Sequence, residues 1–448
     1  MSEKKKMSVT QLTIVTAVNM MGSGIIMLPT NLAQVGTMSI LSWIVTTIGA
    51  TMLAFIFARA GLYSSKGGGM GGYAEYSFGK AGAFLTNYTY GLSLVIANAA
   101  IAISSVGYIA VLFNVHLSPL ATAMWTILVL WIATILNFGG ASITGRISSF
   151  TVWGVILPVI FISIVGWFYF SGSNFATSWN PHNYSFIEGM GKSISITLWA
   201  FLGLESAAAN SDAVENPKKN VPIAVMGGTI GAAIMYILST NVILGISPIK
   251  DLAKSSAPFG LAFSHMFNPT IGNIVIALMI ISCFGSLIGW QFTIAEVFRS
   301  SAVEKYFPKI FAKTIGNGTP IIGMVIITVL QTLISLMTIS PSLSKQFTIL
   351  VNLAVVTNAV PYVLTMASIK TMQKETSTNI SNKTMKWTNI IAILAGIYTL
   401  YAIYSSGGVA VYYGAIVTFA GWTLYGFISY RFDTEKSKNV NEEKRFMI

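Results

Sequence analysis

The feature that most constrains the fold is a series of apolar stretches, each about 20 residues long and nearly free of charge. A helix of about 20 residues crosses a hydrocarbon core of roughly 30 Å. Such stretches lie near residues 10–35, 38–62, 84–112, 118–138, 146–170, 189–211, 221–246, 270–298, 319–338, 346–369, 387–405 and 409–430. Only 9% of the 448 residues are charged, against about 25% in soluble domains. The sequence therefore predicts an all-α membrane protein with twelve transmembrane helices.

The positions of the basic residues predict the topology. The net charge is +12, and 22 of the 26 lysines and arginines fall in the N-terminal segment, the C-terminal tail or every second connection. The four on the other side are Lys192, Lys250, Lys254 and Lys345. Because cytoplasmic loops are enriched in Lys and Arg, both termini are expected in the cytoplasm, and a nucleic-acid partner is not. The charged N-terminus runs directly into a full-length span, so no cleavable signal peptide is expected.

Cysteine and histidine usage predicts no metal site, no cofactor and no enzyme. Cys283 is the single cysteine and lies in an apolar span, where packing is its ordinary role. The histidines are scattered and form no HExxH pattern.

The glycine-rich segment 67–72 lacks the GK[ST] of a phosphate loop. It is expected to be a hinge before a short amphipathic or re-entrant helix on the cytoplasmic side.

One carboxylate lies near the middle of an apolar span. Glu205 is the only ionisable side chain between Ser193 and Ser211. Such residues cost at least about 2.5 kcal/mol in a bilayer, face the protein interior or a water-filled cavity, and mark the paths of ions or charged substrates. Glu205 is therefore the first candidate for binding a cationic substrate and for proton coupling. A cation channel would also use such a carboxylate, but the sequence has no acidic ring or short filter segment.

Two spans carry signs of an interruption. Gly22, Ser23 and Gly24 lie in the first span, and Gly203 lies just before the carboxylate in the sixth. Glycine lowers helix propensity by about 1 kcal/mol relative to alanine, although it also permits close packing of membrane helices. Broken helices 1 and 6, five spans apart, fit two inverted repeats of five helices. The expected units are a first repeat (10–170), a second repeat (189–369) and two further helices (387–430), all within one domain (1–432), followed by a cytoplasmic tail (433–448).

Broken helices and internal tryptophans together predict a pocket for a cationic amino acid or amine. Free N–H groups after the break in span one attract a carboxylate, and free carbonyls near residues 200–203 attract an ammonium group. Trp199 and Trp290 lie within spans rather than in the interfacial belts. An indole face binds alkylammonium groups by about 2 kcal/mol when desolvated. Ordinary packing is the alternative role for each tryptophan.

Other polar residues within the spans are candidates of a second kind. Tyr90, Asn98, Asn352 and Tyr425 each fit a structural role as well as a substrate contact. Glu75 follows the glycine-rich segment. It would either gather cations at a cytoplasmic vestibule or be a solvated loop acid.

Five segments carry a family resemblance: NMMGSGIIMLPTNLAQVG, GGMGGYAEYSFGKAGAFLTNYTYG, TLWAFLGLESAAANSDAVENPKKNVPIAV, SLIGWQFTIAEVF and LVNLAVVTNAVPY. They resemble the basic amino acid/polyamine antiporters of the amino acid–polyamine–organocation (APC) superfamily, and the likeness extends over about residues 7–432. It implies a LeuT-like inverted-repeat fold in a bacterial inner membrane, with the pathway formed by spans 1, 3, 6, 8 and 10. The residues it implies at or near the substrate are Glu205, Trp199, Trp290, Gly22, Ser23, Gly24, Tyr90, Asn98, Asn352, Glu75 and Tyr425. Leu62 is a departure, because a related antiporter has a cysteine there, so no thiol role carries over.

The resemblance implies exchange of putrescine for ornithine, with a cytoplasmic ornithine decarboxylase supplying the diamine. Exchange of lysine for cadaverine or of arginine for agmatine is the alternative, because such exchangers share the GSG and GxES elements. An empty pocket with an ionised Glu205 would contain an uncompensated buried charge, so a cation or a proton must neutralise it before the transporter changes state. Obligatory exchange is therefore expected, with proton-coupled uptake of putrescine as a second mode. Beyond substrates and the lipid bilayer, a homodimer is left open.

Overall fold

The computed structural model describes residues 8–66, 69–205, 215–316, 318–340, 342–376 and 380–430. Within these residues the regular structure is helical, apart from an isolated bridge between Ile315 and Thr319. The α-helices are α1 (Val9–Gly24), α2 (Leu28–Ala33), α3 (Ile40–Tyr63), α4 (Met70–Leu112), α5 (Pro119–Leu136), α6 (Ala141–Thr151), α7 (Trp153–Val165), α8 (Gly172–Thr177), α9 (Phe186–Trp199), α10 (Pro217–Ile246), α11 (Ile249–Leu252), α12 (Pro258–Met266), α13 (Pro269–Val303), α14 (Ile321–Met337), α15 (Leu343–Glu375), α16 (Asn382–Ser405) and α17 (Gly408–Ile428). The predicted all-α class is confirmed.

Nine helices of the described chain are long and apolar enough to cross a membrane. They are α3, α4, α5, α10, α13, α15, α16, α17 and the joined pair α6 and α7. Two of the other three predicted spans are shorter because α1 and α9 end at interruptions. The third, α14, has 17 residues. The chain is therefore a multi-pass membrane protein. The number of twelve spans, the inverted repeats and the domain boundaries stay predictions.

Serine side chains begin several of these helices. Ser8 forms a capping box with Gln11, in which the Ser8 hydroxyl accepts from the Gln11 N–H (3.3 Å) and the Gln11 side chain accepts from the Ser8 N–H (3.0 Å). The same role falls to Ser118, Ser185, Ser342 and Ser381 at α5, α9, α15 and α16. Each cap satisfies an N–H group that the first turn of a helix leaves unpaired.

The two interruptions occur where the glycines predict them. Helix α1 ends at Gly24, three turn residues follow, and α2 begins at Leu28. Helix α9 ends at Trp199 and continues as turns to Glu205, whereas residues 206–214, which hold the remainder of this predicted span, lie outside the described residues. A Cβ atom added to Gly24 would lie 3.5 Å from the Cα atom of Ala200. The two interruptions therefore pack against each other.

Helix α4 is longer than the predicted third span. It begins at Met70 and contains one non-helical residue, Gly79, with φ of 60°. The expected short helix before span three is thus present, but Gly71 and Gly72 already belong to it, while Gly67 and Gly68 lie outside the described residues. Helices α13 and α15 pack along α4 and form the wall that faces the two interruptions.

Candidate functional site

A small cavity lies where the two interruptions meet, lined mostly by apolar residues but also by Asn98, Glu205 and Asn358, and we name it the inner cavity. Its volume is about 40 Å³, well below the usual size of a ligand pocket. Its described lining residues are Met20, Gly24, Leu94, Ala97, Asn98, Ile101, Trp199, Leu202, Glu205, Trp290 and Asn358. They belong to α1, α4, α13, α15 and the end of α9 with its following turns. These are predicted spans 1, 3, 8, 10 and 6, the set that the family resemblance implies.

Glu205 presents its carboxylate to this cavity from the turns that follow α9. The residue is 5% exposed, and its Oε2 atom accepts hydrogen bonds from the Gly203 N–H (3.2 Å) and the Tyr362 hydroxyl (2.8 Å). Gly203 has φ of 101°, a conformation that glycine adopts far more readily than other residues. The backbone turn and Tyr362 together hold one oxygen of the carboxylate in place.

The other oxygen of Glu205 has no basic partner among the described residues. Oε1 has no hydrogen-bond partner among the described residues, although the Tyr90 hydroxyl lies beside the carboxylate. No lysine or arginine of the described residues forms an ion pair with Glu205. In the same part of the chain, no three His, Cys, Asp or Glu side chains group as metal ligands would. A buried carboxylate in these surroundings favours an incoming cation.

Two asparagines and a tryptophan add further polar groups to the lining of the inner cavity. The Asn98 Oδ1, both amide atoms of Asn358 and the Trp199 Nε1 have no hydrogen-bond partner among the described residues. Asn358 nevertheless lies beside the Tyr362 hydroxyl. Because buried polar groups are nearly always paired in native proteins, these groups can bind a polar ligand or water. The two amide oxygens and Glu205 together suit an ammonium group, which donates three hydrogen bonds and accepts none.

A buried amide network fixes the orientation of Asn98. The Gln291 Oε1 accepts from the Asn98 Nδ2 (2.6 Å) and from the Gln331 Nε2 (2.9 Å). The Gln291 Nε2 donates to the hydroxyls of Thr134 (3.1 Å) and Thr328 (2.9 Å). Since the nitrogen of Asn98 is used in this network, its carbonyl oxygen is the group left for the inner cavity.

The two candidate tryptophans line the same cavity. Trp199 is buried and packs edge-to-face against Phe347, with 6.3 Å between ring centroids. Trp290 is half-buried and comes from α13. Both indoles are thus in position for cation–π contact with a ligand in this space.

The helix interruptions offer fewer free carbonyls than the sequence suggests. The Ala200 carbonyl accepts from the Tyr236 hydroxyl (2.8 Å), and the Phe201 carbonyl accepts from the Leu204 N–H (3.2 Å). The expectation of free carbonyls throughout residues 200–203 is therefore wrong for these two, because a tyrosine of α10 and the tight turn itself use them. The acceptors around the inner cavity are chiefly side-chain oxygens.

Several predicted residues lie outside the inner cavity. Asn352 accepts a hydrogen bond from the Ser195 hydroxyl (2.8 Å), and Tyr425 packs against Phe84 with 5.5 Å between ring centroids. Gly22 is buried near Ser286, whose Oγ would lie 3.1 Å from an added Cβ. The side chain of Ser23 lies outside the described residues. Leu62 is partly buried and packs against the apolar core.

Glu75 lies near the start of α4, whereas the inner cavity is lined by residues in the middle of that helix. Its carboxylate pairs with Lys66 (3.3 Å) and Lys80 (3.1 Å), and it accepts from the Tyr306 hydroxyl (3.4 Å). Burial, followed by the carboxylates of Glu75 and Glu304, raises the pKa of Tyr306. Glu75 is 17% exposed at its side chain and lies on a helix, so it is not a solvated loop acid.

Two polar residues of the site, Asn358 and Tyr362, are not among those predicted from the sequence. Both lie on α15, within the segment LVNLAVVTNAVPY. They are four positions apart, which places them on one face of a helix. A pair of polar side chains at this spacing in an apolar span is the signal that could have identified them. The other missed lining residues are apolar: Met20, Leu94, Ala97, Ile101 and Leu202.

Comparison with known proteins gives consistent results over nearly the whole chain. The family model described as amino acid permease matches residues 7–428. The putrescine transporter PotE of Haemophilus influenzae is 63% identical over 435 residues, covering 97% of this chain and 100% of that protein. PotE of Escherichia coli K12 is 59% identical over 432 residues, covering 96% and 98%. The cadaverine/lysine antiporter of Escherichia coli K12 is 35% identical over 367 residues, covering 81% and 82%. These relatives are transporters, which agrees with the prediction that the chain is not an enzyme.

Proposed function

Because the chain belongs to the amino acid permease family, we propose that it is a membrane antiporter that exchanges putrescine for ornithine. The two PotE relatives, 63% and 59% identical, support putrescine as a substrate. The cadaverine/lysine antiporter pairs a diamine with the amino acid that yields it on decarboxylation, and its similarity supports the same kind of pairing here. Ornithine is the amino acid that yields putrescine on decarboxylation.

The observation that carries the proposal is the charge environment of Glu205. One of its oxygens has no hydrogen-bond partner among the described residues, and no basic side chain there pairs with it. Opposite charges about 4 Å apart attract by roughly 4 kcal/mol at an effective dielectric constant near 20. A neutral substrate lacks this contribution, so the inner cavity selects cations.

Putrescine has two ammonium groups, and the lining of the inner cavity, which must move apart to admit it, has acceptors on more than one helix. In the proposed complex one ammonium group donates to Glu205 and to the amide oxygen of Asn358. The second ammonium group donates to the amide oxygen of Asn98 or lies against the indole of Trp290. Its four methylene groups then face the apolar lining residues of α4.

Ornithine adds a carboxylate, which requires a different partner. In the proposed complex this carboxylate accepts from backbone N–H groups at the interruption after Gly22, Ser23 and Gly24, where the positive end of a half-helix favours an anion. The ammonium groups of ornithine use the same acceptors as those of putrescine. One cavity can therefore bind the two substrates alternately and not together.

Exchange follows from the need to neutralise Glu205. An unpaired buried charge costs about 3–5 kcal/mol. Since each 1.36 kcal/mol changes a rate tenfold, the empty and ionised transporter would change state at least about a hundred-fold less often than the loaded one. A proton can replace the cation at Glu205, and this provides the second mode, proton-coupled uptake of putrescine.

The proposed cellular setting is a bacterial inner membrane with both termini in the cytoplasm. The basic residues support this orientation, because 22 of 26 fall on one side of the predicted spans. A cytoplasmic ornithine decarboxylase would supply putrescine for export in exchange for external ornithine. A homodimer stays a prediction.

Counterflow in proteoliposomes tests the proposed function. Vesicles preloaded with unlabelled putrescine are placed in labelled ornithine, putrescine, lysine, cadaverine, arginine or agmatine. Ornithine and putrescine should enter fastest, and empty vesicles should accumulate little label. Faster entry of lysine and cadaverine would favour the second candidate, which the 35% identical antiporter supports. Failure of every compound to enter would contradict exchange altogether.

A further inference from the structure

A second and larger cavity lies at the other end of α4, and we name it the outer cavity. Its volume is about 410 Å³. The lining residues used below include Gly107, His116, Lys254, Ser255, Ser342 and Gln346. Glu75 lies near the start of α4 and Gly107 near its end. The outer cavity is therefore on the side opposite the predicted cytoplasmic loops.

The charges of the outer cavity have the opposite sign to those of the inner cavity. Lys254 and His116 are its ionisable residues, and none of the described lining residues is acidic. Lys254 is exposed and forms no ion pair with any described residue. The hydroxyls of Ser255, Ser256 and Ser342 provide hydrogen-bond donors along the same wall. A cation surrounded by hydroxyl groups suits a carboxylate.

Residues of the two cavities lie close together on α4 and near the start of α15. Gln346 lines the outer cavity, and the next residue, Phe347, packs against Trp199, which lines the inner cavity. Along α4, Ile101 lines the inner cavity and Gly107 lines the outer one, six positions further. A substrate on this side of the membrane therefore meets the outer cavity directly before the inner cavity.

We propose that the outer cavity is a selection site that attracts the α-carboxylate of a cationic amino acid and repels a diamine. The inference rests on the proposed exchange function and adds the side on which the two substrates are distinguished. At neutral pH a diamine carries two positive charges and no anionic group, whereas ornithine carries a carboxylate and a net charge of one. Coulomb energy is proportional to the product of the charges. Lys254 therefore repels the doubly charged diamine about twice as strongly as it repels the net charge of ornithine. It also attracts the carboxylate of ornithine.

The consequence is a directional preference in exchange. Putrescine that leaves the inner cavity enters a space with a positive side chain and is recaptured poorly. External ornithine meets a favourable partner for its carboxylate before it reaches Glu205. The outer cavity thus favours amino acid entry and diamine release from the same face.

The test is substrate affinity at each face of the membrane with Lys254→Gln. Right-side-out vesicles give the apparent KM for external putrescine and external ornithine, and inside-out vesicles give the values for the other face. The external KM for putrescine divided by the external KM for ornithine should fall by about two- to five-fold in Lys254→Gln. This is the size of effect expected from an exposed charge pair. The values from inside-out vesicles should stay as in the native chain.

Two control variants isolate the charge that lines the cavity. Lys250→Gln removes a lysine from the same loop that does not line the outer cavity, and Lys254→Arg retains the positive charge. Both should leave the external ratio as in the native chain. An unchanged ratio in Lys254→Gln, or an equal change in Lys250→Gln, would overturn the selection site. Loss of exchange in the native chain would instead overturn the proposed function, so the two failures are distinguishable.

Discussion

The inner and outer cavities differ in the sign and the burial of their charges. The inner cavity contains one carboxylate, Glu205, that is 5% exposed. The outer cavity contains an exposed lysine and a histidine, and no described acidic residue lines it. Buried charges interact strongly and are poorly screened by salt, whereas exposed charges interact weakly and are well screened. Electrostatic attraction can therefore determine binding in the inner cavity, whereas in the outer cavity it only biases the access of substrates.

The comparison also shows how one chain can handle two related substrates. Putrescine and ornithine share their ammonium groups and differ by a carboxylate. In the proposed complexes the inner cavity binds the ammonium groups of both substrates, and the interruption after Gly24 binds the carboxylate of ornithine. The outer cavity adds an earlier place where the carboxylate is recognised, because Lys254 has the matching charge.

The largest expected effect is loss of the inner charge. Glu205→Gln should lower exchange by about a thousand-fold, because roughly 4 kcal/mol of attraction is removed. The glutamine retains an oxygen for the Tyr362 hydroxyl, so thermal unfolding should change little. Counterflow of labelled putrescine measures the effect. Glu296→Gln is the matched control, since Glu296 pairs with Arg299 on α13 (2.7 Å) and does not line the inner cavity. Substantial exchange by Glu205→Gln would remove the basis of the comparison.

The next largest effect is expected from the indole of Trp290, which lines the inner cavity. Trp290→Leu should weaken binding of both putrescine and ornithine by about thirty-fold, the equivalent of roughly 2 kcal/mol of desolvated cation–π attraction. Inhibition of labelled putrescine uptake by each unlabelled substrate provides the two affinities. Trp387→Leu, at an exposed position of α16, controls for loss of an indole elsewhere. If affinity is unchanged in Trp290→Leu, this side chain is a packing residue.

A smaller and more diagnostic effect is expected at Asn358. Neither amide atom has a hydrogen-bond partner among the described residues, so Asn358→Leu should leave the unfolding temperature unchanged or raise it. Affinity for putrescine should nevertheless fall by about ten-fold, because a hydrogen bond to a charged group is worth at least about 1.5 kcal/mol. Parallel unfolding and binding measurements separate the two roles. A large loss of stability would assign Asn358 to the fold.

The smallest expected effect is the response of the external substrate preference to salt, which should arise at the outer cavity. Raising ionic strength to about 1 M shortens the Debye length to about 3 Å. The external preference for ornithine over putrescine should then shrink about two-fold in the native chain and not at all in Lys254→Gln. Right-side-out vesicles at matched osmolarity provide the measurement. Equal salt responses in the two proteins would mean that the exposed lysine does not bias access.

The fold was predictable from sequence to the extent that the membrane imposes it. Spans follow from length and apolarity, and glycines mark the interruptions at Gly24 and after Trp199. The pairing of helices does not follow, because lipid-facing and buried positions of a membrane helix are both apolar. Nothing in the pattern of α10 indicates that Tyr236 reaches the Ala200 carbonyl.

The site shows the same limit. Glu205 could be recognised because a lone carboxylate in an apolar span is costly and therefore usually serves the passage of an ion or a charged substrate. Its partner Tyr362 is 157 positions away, and no local pattern joins the two. Asn352 and Asn358 are six positions apart, so with 3.6 residues per turn they point to different sides of α15. Only the packing of α15 against α4 determines that Asn358 is the one that lines the inner cavity.

The most direct test of the central claim is efflux from vesicles that contain labelled putrescine, at pH 8, where protons are scarce. If Glu205 must be neutralised before the transporter changes state, label should remain inside in substrate-free medium and leave rapidly when unlabelled ornithine or putrescine is added outside. The expected stimulation is about a hundred-fold or more, from the cost of an unpaired buried charge. Equal efflux with and without external substrate would contradict the requirement that Glu205 be neutralised.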